Sequence, residues 1–84
     1  MNRREIRQRD RIVERLRTLT SREREVLEVV ISGKPNKVMA ADLGINQRSI
    51  EFYRQRVMEK MQAESLAQLV RMTMEIGGIG KVTP

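Results

Sequence analysis

Cysteine, histidine and tryptophan are absent from these 84 residues, and the aromatics amount to one tyrosine and one phenylalanine. Without thiols or imidazoles the chain has no disulfide framework, no thiolate or imidazole metal site, and none of the usual nucleophile-base pairs of hydrolytic enzymes. No catalytic residue, metal ligand or cofactor is therefore expected. Phe52 and Tyr53 alone make no stacking platform, which disfavours an RNA-binding reading. Apolar runs never exceed a few residues, far short of a membrane span, and the arginine-rich amino terminus has no apolar signal core behind it. The chain reads as cytosolic, with no membrane partner, and its length allows one small domain with a modest core.

What is abundant is positive charge, and its placement is informative. The net charge is +6, of which residues 1–19 carry +4 from seven arginines against Glu5, Asp10 and Glu14. Residues 36–61 carry +2, while 20–35 and 62–84 are each neutral. An excess confined to an amino-terminal arm and one internal segment is what a phosphate-facing surface needs.

Along the chain, residues 1–18 form a basic arm, where Ile6, Val13 and Leu16, with Leu19 just beyond, leave only a thin apolar stripe. It is expected to be a linker helix or partly disordered. From Thr20 the signals sharpen. Thr20 and Glu23 form a capping-box pattern, and Val26, Leu27, Val30 and Ile31 repeat as a helical face to about Ser32. Gly33 suits the left-handed position after a helix end, Pro35 blocks immediate re-entry, and Asn36 is placed to cap a short helix of about 37–43. There Ala40 and Ala41 permit close approach by a neighbour. Gly44 breaks that helix, Ile45 offers an apolar plug, and Asn46 caps a third helix of about 47–61. Ser65 and Gln68 begin a fourth, ending near Gly77 and Gly78. Residues 78–84 read as a flexible tail, with Ile79 to Pro84 frayed.

A short helix, a three-residue turn containing glycine and a longer polar helix is the helix-turn-helix signature, here at about 36–55. With Ile50 at zero on a wheel of about 100° per residue, Tyr53, Arg54, Val57 and Met61 fall within roughly 60° of it. Arg48, Glu51, Phe52, Gln55 and Glu59 lie on the opposite side. A bland surface helix shows the same polar arc, but the turn in front of it favours a reading surface. Arg48, Glu51, Phe52 and Gln55 are the candidate base contacts, and Lys37, Ser49, Arg54, Arg56 and Lys60 flank them as candidate phosphate contacts.

The stretch LTSREREVLEVVISGKPNKVMAADLGINQRSIEFYRQRVMEKMQAESLAQLVRM, about residues 19–72, resembles the LuxR-type helix-turn-helix domain of bacterial transcription regulators. Its landmarks are the LT-x-RERE-VL start, the G-x-x-NK opening, the A-x-x-L-x-I turn and the S-I-E-x-Y-R-x-x-V-M-x-K-M run. The Tyr-Arg and VMEKMQA wording most resembles the effector domains of FixJ/NarL-type response regulators. Asn46 stands where serine or threonine is usual, and Ser49 where threonine is frequent. The resemblance implies an all-α, four-helix fold over 19–77 that binds double-stranded DNA sequence-specifically. Glu51, Phe52 and Gln55 match base-touching positions, and Lys37, Ser49, Arg54 and Lys60 match backbone-contacting or structural ones. It further implies a homodimer on DNA through the last helix (Leu66, Leu69 and Val70), and RNA polymerase and a receiver domain as partners. A receiver does not fit in 84 residues, so the chain reads as an excised or stand-alone effector domain.

A protein-interaction module is the competing class, with the last helix and Met58, Met61, Met72 and Met74 as its contact surface. Methionine at helical spacing more often fills a core. No constellation supports an enzyme.

Overall fold

The computed structural model describes residues 2–79, which form α1 (Arg3–Arg17), α2 (Ser21–Ile31), α3 (Asn36–Leu43), α4 (Gln47–Met61) and α5 (Leu66–Glu75). The four helices expected after Thr20 are present, and the arm contributes a fifth ahead of them. Helix starts are set by local side chains. Asn2 Oδ1 accepts the Glu5 amide at 2.9 Å, Asn46 Oδ1 the Ser49 amide at 2.7 Å and Ser65 Oγ the Gln68 amide at 3.1 Å. At α2 the reciprocal box is complete: Thr20 Oγ1 accepts the Glu23 amide at 3.1 Å, and Glu23 Oε1 accepts the Thr20 amide at 2.8 Å. Each cap satisfies amides that the helix itself leaves unpaired and contributes about 1 kcal/mol.

The cap expected at Asn36 is corrected. Pro35 holds the position before α3, with φ −62° and ψ 152°, and no side chain caps the helix. Proline's fixed φ already sets the entry, so Asn36 becomes the first helical residue and its side chain is released for another partner.

At the far end of α3, Gly44 turns left-handed at φ +67°, and the Ile45 amide returns to the Ala40 carbonyl at 3.0 Å. This reversal leaves only three residues between α3 and α4. Gln62 makes the same kind of turn after α4 at φ +55° without being glycine. After α5, Gly77 and Gly78 are both left-handed, and the Gly78 amide reaches the Thr73 carbonyl at 2.8 Å. The reversal brings Ile79 into the core with 6% of its surface exposed. The expected frayed tail is therefore wrong at Ile79, and its remainder, 80–84, lies outside the described residues.

The core draws on all five helices: Ile12 and Leu16 of α1, Val26, Leu27 and Val30 of α2, Met39 and Ala40 of α3, Ile50, Val57 and Met61 of α4, and Leu69 and Met72 of α5. The central element is α4, packed against α1, α2 and α3. Of the two small residues in α3, Ala40 is buried at a helix contact and Ala41 is exposed. Within α1 the buried face is phased differently from the apolar stripe read along the sequence. Ile12 and Leu16 are enclosed, Val13 and Leu19 pack at the margin, and Ile6 stays 45% exposed. Two polar ties reinforce the seat of α1, from Arg15 Nη1 to the Met61 carbonyl at 3.5 Å and from Gln8 Nε2 to Glu75 Oε2 at 2.9 Å. Full burial of a leucine such as Leu16 contributes about 1.5–3 kcal/mol, so α1 is anchored by packing despite its seven arginines. No helix among the described residues is long and apolar enough to cross a membrane.

Candidate nucleic-acid interface

The arc expected on α4 is the arc left uncovered. Ile50, Val57 and Met61 are fully buried and Tyr53 is half-buried, which fixes the rotation of the helix. Arg48, Glu51, Phe52, Gln55 and Glu59 are consequently exposed together. Phe52 exposes 58% of its surface. Its edge meets Tyr53 at 5.5 Å between centroids and 73° between planes, and the Arg56 guanidinium sits 6.0 Å from its centre. Gln55 Nε2 makes one long contact, 3.4 Å, to Glu59 Oε1. Arg48, Glu51 and Lys37 have exposed side chains that engage no partner among the described residues.

The flanking cations divide into two groups. Lys37, near the start of α3, is free, and Arg56 is about half exposed, with Nε 3.7 Å from Glu23 Oε2. Ser49 is half-buried and its amide is used by the Asn46 cap, while its hydroxyl engages no protein group among the described residues. Arg54 is partly committed, because Nη1 donates to Asn36 Oδ1 at 3.3 Å and ties α4 to the first residue of α3. This is the partner that the released Asn36 side chain finds.

Lys60 lies off the exposed arc. Its Nζ donates to Glu23 Oε1 at 2.6 Å and to the Thr18 carbonyl at 3.3 Å, and its side chain is 26% exposed. The Glu23 side chain is only 4% exposed, so one carboxylate joins the α2 capping box to two cations of α4. Burial alone would push the Glu23 carboxyl up. The hydrogen bonds from Lys60 and from the Thr20 amide outweigh it and hold the pKa below its ordinary value. Of the two roles expected for Lys60, phosphate contact or structural tie, the fold supports the second, because its ammonium is engaged by Glu23 and the Thr18 carbonyl. Capping was the only local signal for Glu23, and the cross-helix pairing, between residues 37 apart, had none.

On α5, Leu66 and Val70 are half-buried at the surface, whereas Leu69 has no exposed surface and serves the core, so Leu69 is withdrawn as a dimer contact. Of the four methionines weighed as an interaction surface, Met61 and Met72 are buried, Met58 is partly buried and Met74 alone is 72% exposed.

A short α3, a tight turn through Gly44, Ile45 and Asn46, and a longer α4 with its core face buried and its polar face open define a helix-turn-helix domain. The family model for bacterial regulatory proteins of the luxR family matches residues 17–73, and the chain belongs to that family. It is 53% identical over 66 residues to the transcriptional regulatory protein FixJ of Rhizobium meliloti (strain 1021), covering 79% of this chain and 32% of that protein. To the tetrathionate response regulatory protein TtrR of Salmonella typhimurium it is 49% identical over 53 residues, covering 63% and 26%. The crystal structure of full-length FixJ from B. japonicum superposes with a TM-score of 0.80 at 43% identity, covering 88% of this chain and 36% of that one. The chain thus spans about a third of the length of the curated FixJ relatives it matches.

Proposed function

We propose that the chain is the cytoplasmic effector domain of a bacterial transcription regulator that reads duplex DNA by seating α4 in the major groove. The observation that carries this reading is the exposed cluster of Arg48, Glu51, Phe52 and Gln55 on the first turns of α4, beside the free Lys37 and the half-free Arg56. A helix of this length, roughly 22 Å, enters a groove about 12 Å wide by its amino-terminal half. There Gln55 can pair with adenine through two hydrogen bonds, and Phe52 covers its exposed ring against a thymine methyl. Glu51 accepts from a cytosine amino group or orients Arg48. Lys37, Arg56, the Ser49 hydroxyl and the outer part of Arg54 take the phosphates. Lys60 acts indirectly, by holding α4 against α2.

The relatives' names, a transcriptional regulatory protein and a response regulatory protein, support a place in a two-component system. In that setting a receiver domain controls this one, and the bound domain acts on RNA polymerase. Pairing on DNA through α5 rests on Leu66 and Val70, too little apolar surface for an obligate dimer, so the free domain is monomeric or weakly paired. Selection from random duplexes tests the reading. The wild type should return a defined site, and Gln55→Ala or Glu51→Ala should relax it at one or two positions per half-site, losing about 1–3 kcal/mol for the preferred base. Unchanged preference in both variants, with melting temperature intact, contradicts base reading by this face.

A further inference from the structure

The basic excess on α1 is arranged, and the reading of α4 above leaves it unused. Arg3, Arg4, Arg7 and Arg11 are all exposed, and with Gln8 they line a single surface depression that contains no carboxylate. None of the four engages a partner among the described residues. Arg3 and Arg7, Arg7 and Arg11, and Arg11 and Arg15 stand four residues apart, a spacing at which like charges destabilise a helix. Arg3 and Arg4 also occupy the first turn, where the helix dipole disfavours cations. These penalties are relieved when a polyanion lies along the stripe.

The flank of α1 beside the stripe is held in place. Ile12 and Leu16 enter the core and Gln8 holds Glu75 of α5, so α1 cannot roll to disperse its arginines. The stripe is also continuous with α4. A second shallow depression is shared by Arg11, Glu14, Arg15, Thr18, Lys60 and Gln62, and Lys60 shares the Glu23 carboxylate with Arg56, so the band reaches the edge of the exposed α4 face through partly neutralised cations. Glu14 and Glu23 partly neutralise this band, and the uncompensated charge is that of Arg3, Arg4, Arg7 and Arg11.

We propose that the Arg3, Arg4, Arg7 and Arg11 face of α1 is a second DNA-backbone surface, which tracks duplex phosphates flanking the site occupied by α4. It rests on the reading of α4 and adds a contact largely outside the stretch that matches the family model. From Arg3 to Arg11 the helix rises about 12 Å, over which both strands of a duplex present roughly seven phosphates. Four arginines on such a path contact about two or three of them. The partner's recognised feature is the evenly charged backbone, so the surface adds affinity and salt dependence without adding sequence preference.

The test uses the whole chain and the selected duplex in two lengths, one ending flush with the α4 footprint and one extended by a helical turn on each side. For the wild type, extension should steepen the dependence of log affinity on log salt by about two units, at about 0.9 per phosphate. The variant Arg3→Gln/Arg4→Gln/Arg7→Gln/Arg11→Gln should bind the flush duplex like the wild type and show no gain on extension. The corresponding Arg→Lys variant should retain the gain, and thermal melting should show all three equally folded. The proposal is overturned if extension changes nothing in the wild type, if the Gln variant keeps the gain, or if it weakens both duplexes equally. An acidic protein surface as the true partner of the stripe would give the first of these results. A wild type that binds no duplex in preference to others brings down the α4 reading instead.

Discussion

Removing the carboxylate of Glu23 is the sharpest perturbation of the fold that positions α4. Two substitutions separate its two jobs. Gln at this position keeps an acceptor for the Thr20 amide and loses the charge, whereas Ala loses both. Breaking a buried ion pair from one side costs about 3–5 kcal/mol when the remaining charge is stranded. Lys60 is not fully stranded, because it is 26% exposed and still faces the Thr18 carbonyl, so the ionic loss is about 1–2 kcal/mol. Loss of the capping interaction adds about 1 kcal/mol in the Ala variant. For a domain of this size each 1 kcal/mol lowers Tm by about 4–8 °C, which places Glu23→Gln about 5–15 °C and Glu23→Ala about 10–20 °C below the wild type at pH 7.

The pH dependence follows from the sign of the shift. The Glu23 pKa is depressed in the folded state, so its contribution is complete above the unfolded value of about 4.5 and is lost as pH falls through the lower folded value. Circular-dichroism melts of wild type and Glu23→Gln should therefore differ at pH 7 and draw together in acid. Melting temperatures that coincide at pH 7, or a gap that widens on acidification, would refute the assignment of Glu23 as the tie between α2 and α4.

Leu16→Ala should cost about 2–5 kcal/mol in urea denaturation, because α1 is part of the core; a change below about 0.5 kcal/mol would mean that α1 is a solvated linker. Lys37→Ala should flatten the salt dependence of DNA binding by about one unit at unchanged stability. Lys60→Ala should instead show its main effect in the melting temperature, a contrast that fails if the two variants behave alike.

The features legible in the sequence are those whose physics is local. Thr20 with Glu23, Asn46, Ser65, Gly33 and Gly44 act within a turn or two of chain, and the spacing of Ile50, Tyr53, Val57 and Met61 rotates α4 as the pattern requires. The exposed face of α4 was legible for the same reason, being whatever that buried face leaves out. Elsewhere, tertiary neighbours decided. Ile12 and Leu16, not Ile6, carry α1 into the shared core, a phase that the packing of α1 on its neighbours sets. Two glycines suggested a fraying end, yet their left-handed turns bring Ile79 back into the core. Lys60 looked like one more flanking cation, and only the folded chain brings Glu23 to it. The same holds for Arg54, whose partner Asn36 was expected to be capping a helix.

The proposed function requires that the amino-terminal half of α4 lie in the major groove of a preferred duplex. Amide chemical-shift mapping during titration with the selected duplex tests it directly. The strongest changes should fall between Asn46 and Arg56, with α2 and Leu69 of α5 little affected. Changes concentrated on α5 or α2, with those α4 amides unmoved at saturation, would contradict it.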